Sequence, residues 1–262
     1  ISIYYIMKLI ILLIILILIF IFILQLSYTN FNENFYNELE LSPKLSKQDI
    51  LDLKKGHKII TNIFRQFDII CRKYDLKYWC LGGTLIGAMR HNGWIPWDGD
   101  VDVGMLKEDY NKLKKIIQSE LPKEMWFQDT TTDKYYKSNI GKIRNLNTNY
   151  KDYKSQSWHN GLQLDIFIFK HDNNNNNIYG SHPIYGSPDI KKRNYSDVFP
   201  LKEIKFEDIS VYVPNKYKQI SKDIWSDFPP KLPNINKRFP HEGRFGFVVP
   251  EWTKQKYPNL YS

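Results

Sequence analysis

The sequence contains little cysteine and no cysteine spacing that is typical of a zinc site. Cys71 and Cys80 are the only two cysteines in 262 residues. Two cysteines form at most one disulfide and cannot complete a zinc site alone, so neither a disulfide scaffold nor a zinc module is predicted. The sequence leaves open whether the two thiols are bridged in an oxidising compartment or lie buried apart.

Two common phosphate-binding glycine motifs are also absent. In the dinucleotide fingerprint G-x-G-x-x-G, the pair Gly82 and Gly87 would need a glycine where Thr84 stands. No Gly-Lys-Ser/Thr of a P-loop occurs anywhere in the chain. These absences exclude a Rossmann dinucleotide site and a P-loop nucleotide site of the usual kind.

Acidic residues are outnumbered, and the formal net charge is +9. Such an excess suggests anionic partners, such as phosphates, nucleic acid or an anionic membrane surface. The basic residues are scattered, however, and their densest run is Lys191, Lys192 and Arg193. We therefore expect no nucleic-acid groove and no nucleic-acid partner. The chain length indicates one domain with an appendage.

Polar residues are missing from the N-terminal segment, where every residue from 9 to 24 is Ile, Leu or Phe. A transmembrane helix needs about 17 to 25 apolar residues, whereas a signal peptide has a shorter run and a small-residue cleavage site. We therefore predict a transmembrane signal anchor at 7–26, a stem at 27–47 and a folded domain at 48–262. Lys8 on the short side of the run favours a single-pass type II membrane protein, with the domain in the Golgi or ER lumen.

A glycine pair follows a predicted strand at the start of the folded domain. Apolar residues at three- and four-residue spacings between 48 and 74 predict an amphipathic helix, and "KYWCL" then reads as a strand. Gly82, Gly83 and Thr84 come next and open a short apolar helix that ends near Arg90. A strand, a glycine pair and a helix can present backbone N–H groups to a phosphate, although a glycine pair is also typical of a tight turn.

Three aspartates alternate in "WDGDVDVGM", and a fourth is the single acid of the apolar run "GLQLDIFIF". Alternate residues of a strand share one face, so Asp98, Asp100 and Asp102 are predicted to point the same way. Asp165 in its apolar strand needs a hydrogen-bond donor or a cation. We predict that Asp100, Asp102 and Asp165 bind Mg2+ or Mn2+ and act as the catalytic residues. Asp98 is expected to support this site from the preceding turn.

A second pair of charged residues alternates in "NIGKIRNLNTNY", where Lys142 and Arg144 share a face of a predicted strand. Beside a metal site these cations would neutralise phosphates of a substrate; a surface strand edge is the alternative. The run from Asn173 to Asn177 is of low complexity, and its composition predicts a disordered loop.

The stretch "LGGTLIGAMRHNGWIPWDGDVDVGM" (81–105), together with the later Asp165-Ile166-Phe167, resembles the LicD/fukutin/fukutin-related protein family of the polymerase-β-like nucleotidyltransferase superfamily. The resemblance extends from about residue 48 to residue 225. Gly99 departs from the pattern, because many members have a further Asp there. A side chain at this position is expected to point away from the metal. Arg90 and His91 match the family motif and are expected near the glycine turn.

The resemblance implies an α+β fold in which a mixed, nucleotidyltransferase-like β-sheet is packed by helices. It also implies transfer of a phospho-alcohol, such as phosphocholine or ribitol phosphate, from a CDP-activated donor to a hydroxyl of a glycan acceptor. A catalytically silent member that binds glycan or stabilises another transferase is the alternative. The expected substrate-binding residues are Gly82, Gly83, Thr84, Arg90, His91, Lys142 and Arg144.

Overall fold

The computed structural model describes residues 5, 7, 8, 10–23, 41–152, 157–180, 192–225 and 231–262. From residue 41 onward, helices pack against one mixed β-sheet, which confirms the predicted α+β class. The helices are α1 (Lys47–Lys73), α2 (Gly82–His91), α3 (Lys107–Glu120), α4 (Tyr195–Val198), α5 (Tyr217–Trp225) and α6 (Glu251–Lys256). Single 3-10 turns occur at Ile235–Lys237 and Pro258–Leu260.

Seven strands form the main sheet, whose central path runs in the order β1-β2-β6-β4-β3. These strands are β1 (Tyr78–Cys80), β2 (Val101–Leu106), β3 (Met125–Gln128), β4 (Gly141–Asn145), β6 (Gln163–Asp172), β7 (Asn177–Gly180) and β8 (Lys192–Asn194). Two small pairs lie outside it and consist of β5 (Asn149–Tyr150) with β11 (Phe245–Gly246) and β9 (Lys202–Phe206) with β10 (Ile209–Val213). Within the main sheet β2 and β6 are parallel, and the other pairings of the described strands are antiparallel.

Helix α1 covers the sheet with the apolar face that its spacing predicts. Ile60, Phe64, Phe67 and Cys71 follow one another at three- and four-residue intervals, and each is fully buried. The rings of Phe64 and Phe67 meet Tyr78 of β1 edge-on, with centroids 5.9 and 4.9 Å apart. The helix begins with a capping box, in which Ser46 and Asp49 satisfy each other's backbone N–H groups.

The predicted transmembrane helix at 7–26 is not supported. Residues 10–23 are helical, but no helix of the described part of the chain is long and apolar enough to span a membrane. Residues 9 and 24–40, which include most of the predicted stem, lie outside the described residues.

The asparagine-rich stretch forms a hairpin turn rather than the predicted disordered loop. Residues 173–176 connect β6 to β7, and Asp172 pairs with Asn177 where the two strands begin to separate. The Asp172 carboxylate accepts a hydrogen bond from the Asn174 backbone, and Asn176 takes a left-handed φ of 52°. Asparagine tolerates this backbone region well, so the composition suits a tight turn.

The two cysteines are separate buried thiols, which settles the alternative left open by the sequence. Burial raises the pKa of both thiols, because the thiolate would lose its hydration. Cys71 and Cys80 therefore act as small apolar residues of the core.

The C-terminal segment returns to the start of the domain. Strand β11 pairs with β5, and Lys151 donates its backbone N–H to the Arg244 carbonyl at 2.7 Å. Phe245 packs on Gly56 of α1 so closely that a Cβ at Gly56 would lie 1.9 Å from the ring. The segment is thus fixed beside β5 and the N-terminal half of α1.

Candidate metal centre

Three neighbouring strands of the main sheet align charged side chains in one row. Asp102 of β2 is the register partner of Asp165 in β6, and Asp165 is in turn the partner of Lys142 in β4. Register partners of adjacent strands project to the same face, so these three side chains lie next to each other. The row explains why residues from three distant parts of the sequence meet at one point.

Asp100, Asp102 and Asp165 form a compact cluster of carboxylates. Each residue offers one oxygen such that all three oxygens lie within 4.8 Å of one another. Asp165 is buried, whereas Asp100 and Asp102 are half-buried, so the cluster is accessible from one side. Asp165 Oδ1 is buried and has no hydrogen-bond partner among the described residues. Three carboxylate oxygens with an unsatisfied acceptor match the donor set that Mg2+ and Mn2+ prefer.

The carboxylates of the cluster repel one another. Burial, followed by the charge of Asp165, raises the pKa of Asp100 to about 6. Burial and the charge of Asp100 raise the pKa of Asp98 to about 8, and the same causes raise the pKa of Asp102 well above its ordinary value. These shifts mean that positive charge near the cluster would stabilise its ionised state.

Lys142 provides part of that positive charge. Its ammonium group lies 2.5 Å from Asp165 Oδ2, and both side chains are about nine-tenths buried. Strand β4 is flanked by β6 and β3, so Lys142 and Arg144 lie inside the sheet rather than at the alternative position on a surface edge. They share a face of β4, as their spacing predicts.

Arg144 is linked to the carboxylates through Gln163. It is 2% exposed and donates to Gln128 Oε1, to the Gly161 carbonyl and to Gln163 Oε1. The Gln163 amide nitrogen then donates to Asp100 Oδ2 at 3.1 Å and to Asp165 Oδ2 at 3.2 Å. Arg144 therefore orients Gln163, and its expected contact with a substrate phosphate stays a prediction.

The local structure explains why glycine occupies both positions 82 and 83. Gly82 has a φ of 48°, which glycine adopts without strain, and it begins α2. A Cβ at Gly83 would lie 2.2 Å from Asp98 Oδ2, so this position has no room for a side chain. Asp98 thus packs against the first turn of α2, and its Oδ1 accepts the Gly99 N–H at 3.2 Å. This is the supporting position at the turn that the sequence analysis predicted for Asp98.

Thr84 positions the second aspartate of the D-x-D strand. Its hydroxyl accepts the Asp102 backbone N–H at 2.8 Å, and it is 3% exposed. The Leu81 N–H donates to the Asp102 carbonyl at 3.0 Å, so both backbone groups of Asp102 are held by the start of α2. Thr84 therefore positions Asp102, and its expected contact with a substrate stays a prediction.

Arg90 and His91 lie at the other end of α2, and the expectation that they sit near the glycine turn is wrong. At about 1.5 Å per residue, the helix places Arg90 roughly 12 Å along its axis from Gly82. Burial lowers the pKa of Arg90, and burial with the charge of Arg90 lowers the pKa of His91 to about 4. Arg90 and His91 therefore lie at the end of α2 away from the glycine pair, and their expected part in substrate binding stays a prediction.

Four residues that contact the three aspartates or the neighbouring positions 98 and 99 were not among the site residues predicted from the sequence. His57 Nε2 lies 2.8 Å from the Asp98 carbonyl, Tyr150 donates its hydroxyl to the Gly99 carbonyl at 2.9 Å, and Gln163 bridges two aspartates. Glu242 packs against Gly99 from the C-terminal segment. Gln163 could have been found, because it lies two residues before Asp165 in the same apolar strand; the other three carry no local signal.

The comparisons with known proteins agree with this arrangement. Residues 75–216 match the family model described as LicD/FKTN/FKRP, nucleotidyltransferase domain. The chain is 34% identical over 121 residues to the lipopolysaccharide cholinephosphotransferase LicD of Haemophilus influenzae, which covers 45% of this chain and 44% of the relative. It is 44% identical over 45 residues to the human ribitol 5-phosphate transferase FKRP, which covers 17% of this chain and 9% of the relative.

A longer match covers 84% of this chain and 65% of an uncharacterized protein of Rickettsia prowazekii, at 25% identity over 221 residues. The chain thus spans less than two thirds of the length of these relatives. The family match itself, at residues 75–216 of 262, covers more than half of the chain and contains Asp100, Asp102, Lys142 and Asp165. The chain therefore belongs to the LicD/FKTN/FKRP family of nucleotidyltransferase domains.

Proposed function

We propose that this protein is a metal-dependent phosphotransferase that moves a phospho-alcohol from a CDP-activated donor to a hydroxyl of a glycan. The observation that carries the proposal is the cluster of Asp100, Asp102 and Asp165 in a member of this family. The names of the relatives support the substrate class, because they are transferases of cholinephosphate and of ribitol 5-phosphate.

The residues of the cluster fit Mg2+ or Mn2+. Both cations prefer oxygen ligands, and the cluster offers carboxylate oxygens within 4.8 Å of one another, including the unpartnered Asp165 Oδ1. We propose that Asp100, Asp102 and Asp165 hold the cation. When bound, such a cation supplies Lewis-acid stabilisation of the charge that develops on phosphate oxygens.

The remaining residues bind and orient in this proposal. The oxygen of the acceptor hydroxyl attacks the phosphorus that carries the alcohol, the bond from that phosphorus to the CMP oxygen breaks, CMP leaves, and the hydroxyl proton is released to solvent. Lys142 lowers the negative charge of the site that receives the donor phosphates, because its ammonium group is held at Asp165. Gln163, ordered by Arg144, fixes the carboxylates of Asp100 and Asp165.

The alternative from the sequence analysis, a catalytically silent glycan-binding or transferase-stabilising protein, has less support. A silent member does not need to retain three converging carboxylates, which repel one another and raise one another's pKa values. Nothing in the described residues favours the silent alternative over a transferase.

The decisive experiment is a donor screen with the purified chain. CDP-choline, CDP-ribitol and CDP-glycerol are incubated in turn with Mg2+, Mn2+ or EDTA, and released CMP is measured by chromatography. We expect CMP release with at least one donor, dependence on the cation, and its loss in Asp102→Asn. A chain that releases no CMP from any donor, with either cation and a glycan acceptor present, would contradict the proposal.

The location of the protein stays a prediction. The type II topology in the Golgi or ER rests on the apolar composition of residues 7–26, and the described helices do not support the anchor. Alkaline carbonate extraction of membranes tests it: an anchored chain stays in the pellet, and recovery in the supernatant would refute the anchor.

A further inference from the structure

A polar cavity lies on the face of the main sheet opposite to the carboxylate cluster. Side chains alternate along β6, so Ile168 and Lys170 project to the other side of the sheet from Asp165. Strand β4 begins at Gly141, the register partner of Ile166, whereas β6 extends further. Past this point β4 no longer borders β6, and a cavity of about 460 Å³ lies between the end of β6 and α3.

Three lysines line this cavity. Lys107 and Lys114 share one face of α3 with Tyr110, because the three residues are three and four positions apart, and Lys170 comes from β6. Lys114 lies 2.7 Å from Asp129 Oδ2. Neither Lys107 nor Lys170 has a carboxylate partner among the described residues. Two uncompensated ammonium groups thus border one cavity.

Asp129 is the single acid among the residues that line the cavity, and its own neighbours occupy it. It is 4% exposed, and its Oδ2 accepts the Tyr110 hydroxyl at 3.1 Å in addition to the contact with Lys114. Its Oδ1 accepts the backbone N–H and the hydroxyl of Thr131 at 2.7 and 2.6 Å. Three lysines and one aspartate therefore leave two positive charges at the cavity.

The other polar groups of the cavity suit hydroxyl groups of a ligand. Thr130 and Asn139 are exposed and Ser138 is half-buried, and within the described part of the chain their side chains make no hydrogen bond. The single aromatic residue of the lining is Tyr110, which is 4% exposed and offers little ring surface for stacking a nucleotide base. The lining therefore favours a saccharide over a nucleotide.

We propose that this cavity binds a sugar phosphate, with the phosphate between Lys107 and Lys170 and the sugar hydroxyls on Thr130, Ser138 and Asn139. Ammonium groups form charge-assisted hydrogen bonds with phosphate oxygens. The cavity has the size of a small-molecule site, for which about 300 to 1,000 Å³ is usual. Because it lies on the other face of the sheet from the carboxylate cluster, the inference goes beyond the proposed function and does not rest on it.

Isothermal titration calorimetry of the whole chain in EDTA tests the inference without relying on activity. The probe is glucose 6-phosphate, and glucose, inorganic phosphate and CMP are the comparison ligands. We expect glucose 6-phosphate to bind more tightly than each of these, and its affinity to fall as the salt concentration rises, because exposed lysines supply the charge. Lys107→Gln and Lys170→Gln should each weaken binding about tenfold, through the loss of one charge-assisted hydrogen bond.

Lys115→Gln is the matched control, because Lys115 is an exposed lysine of α3 that does not line the cavity. It should bind glucose 6-phosphate with the wild-type affinity. Asp102→Asn should also keep this affinity, since Asp102 projects to the other face of the sheet.

Four outcomes would each overturn the inference. They are a wild type that does not bind glucose 6-phosphate, unchanged affinity in both Lys107→Gln and Lys170→Gln, tighter binding of CMP or inorganic phosphate, and loss of binding in Asp102→Asn, which would place the ligand at the carboxylate cluster. CMP release in the donor screen does not enter any of these measurements, so failure of the proposed function would be recognised separately.

Discussion

Lys142 and Asp165 are register partners on β4 and β6, and their charged groups lie 2.5 Å apart inside the sheet. Removing one partner of a buried ion pair leaves the other charge uncompensated, which costs about 3 kcal/mol or more. We expect Lys142→Met to lower the free energy of unfolding by this amount, as measured by urea denaturation without metal. Mg2+ should restore part of the loss.

The matched control for this variant is Lys170→Met, which changes an exposed lysine at the far end of β6. The urea concentration at the midpoint of its unfolding should equal that of the wild type. If Lys142→Met and Lys170→Met have the same small effect, the ion pair does not stabilise the metal-free sheet.

The second prediction concerns the carboxylate cluster. Asp102→Asn and Asp165→Asn keep the side-chain volume but remove a charge, so each should reduce kcat for CMP release at least about a hundredfold. Asp98→Asn should have a smaller effect, because Asp98 packs on the first turn of α2. Asp208→Asn, an exposed carboxylate paired with Arg65, serves as the control. Wild-type turnover in either cluster variant would refute the metal assignment.

The third prediction compares two buried threonines. Thr84 accepts the Asp102 N–H, whereas the Thr253 hydroxyl is buried without a hydrogen-bond partner. Thr84→Val should cost about 1 to 3 kcal/mol and lower kcat, because a buried N–H loses its acceptor where it positions Asp102. Thr253→Val should be neutral or stabilising by thermal melting. If the two variants are destabilised equally, the hydrogen bond from the Asp102 N–H to Thr84 does not contribute to the stability of the fold as predicted.

The fourth prediction concerns pH and the metal-free protein. Asp98 has a pKa of about 8 in the folded chain and about 4 in the unfolded chain. The stabilisation of the fold by the protonated Asp98 carboxyl is therefore complete below pH 4 and is lost as the pH rises through 8. The buried His57, whose pKa is lowered to about 4 in the folded chain, titrates near its ordinary value of about 6.5 only in the unfolded chain, so it opposes this loss near pH 6.5 and has little effect at pH 8. The melting temperature in EDTA should therefore fall between about pH 6.5 and 8.5.

Two comparisons isolate the cause of that fall. Asp98→Asn should flatten the pH profile, and saturating Mg2+ should flatten it in the wild type, since a bound cation stabilises the ionised carboxylates. A wild-type melting temperature that rises from pH 6.5 to 8.5 in EDTA would contradict the assignment.

The sequence predicted those parts of the site that depend on local periodicity. Alternation placed Asp100 and Asp102 on one face, and the apolar run around Asp165 marked a buried strand that needs a partner for its charge. The register that sets Asp165 between Asp102 and Lys142 is a property of three strands together, so no local pattern contains it.

The errors have the same physical origin. Arg90 was placed near the glycine turn because the motif is continuous in sequence, but an intervening helix carries it away. Glu242 was missed because its approach to Gly99 depends on the pairing of β11 with β5, far along the chain. The contacts of Arg144 could not be predicted, because its three protein acceptors come from other segments of the chain.

The row formed by Asp102, Asp165 and Lys142 also determines where the gene can accept changes in length. Inserting a single codon into β6 upstream of Asp165 would turn its carboxylate to the opposite side of the sheet and leave an apolar neighbour in its place. An insertion in the turn at 173–176 would leave the row untouched, because that turn follows the last position of β6. Length variation among homologous sequences should therefore accumulate in this turn and be absent from the paired segments of β2, β4 and β6 that form the row.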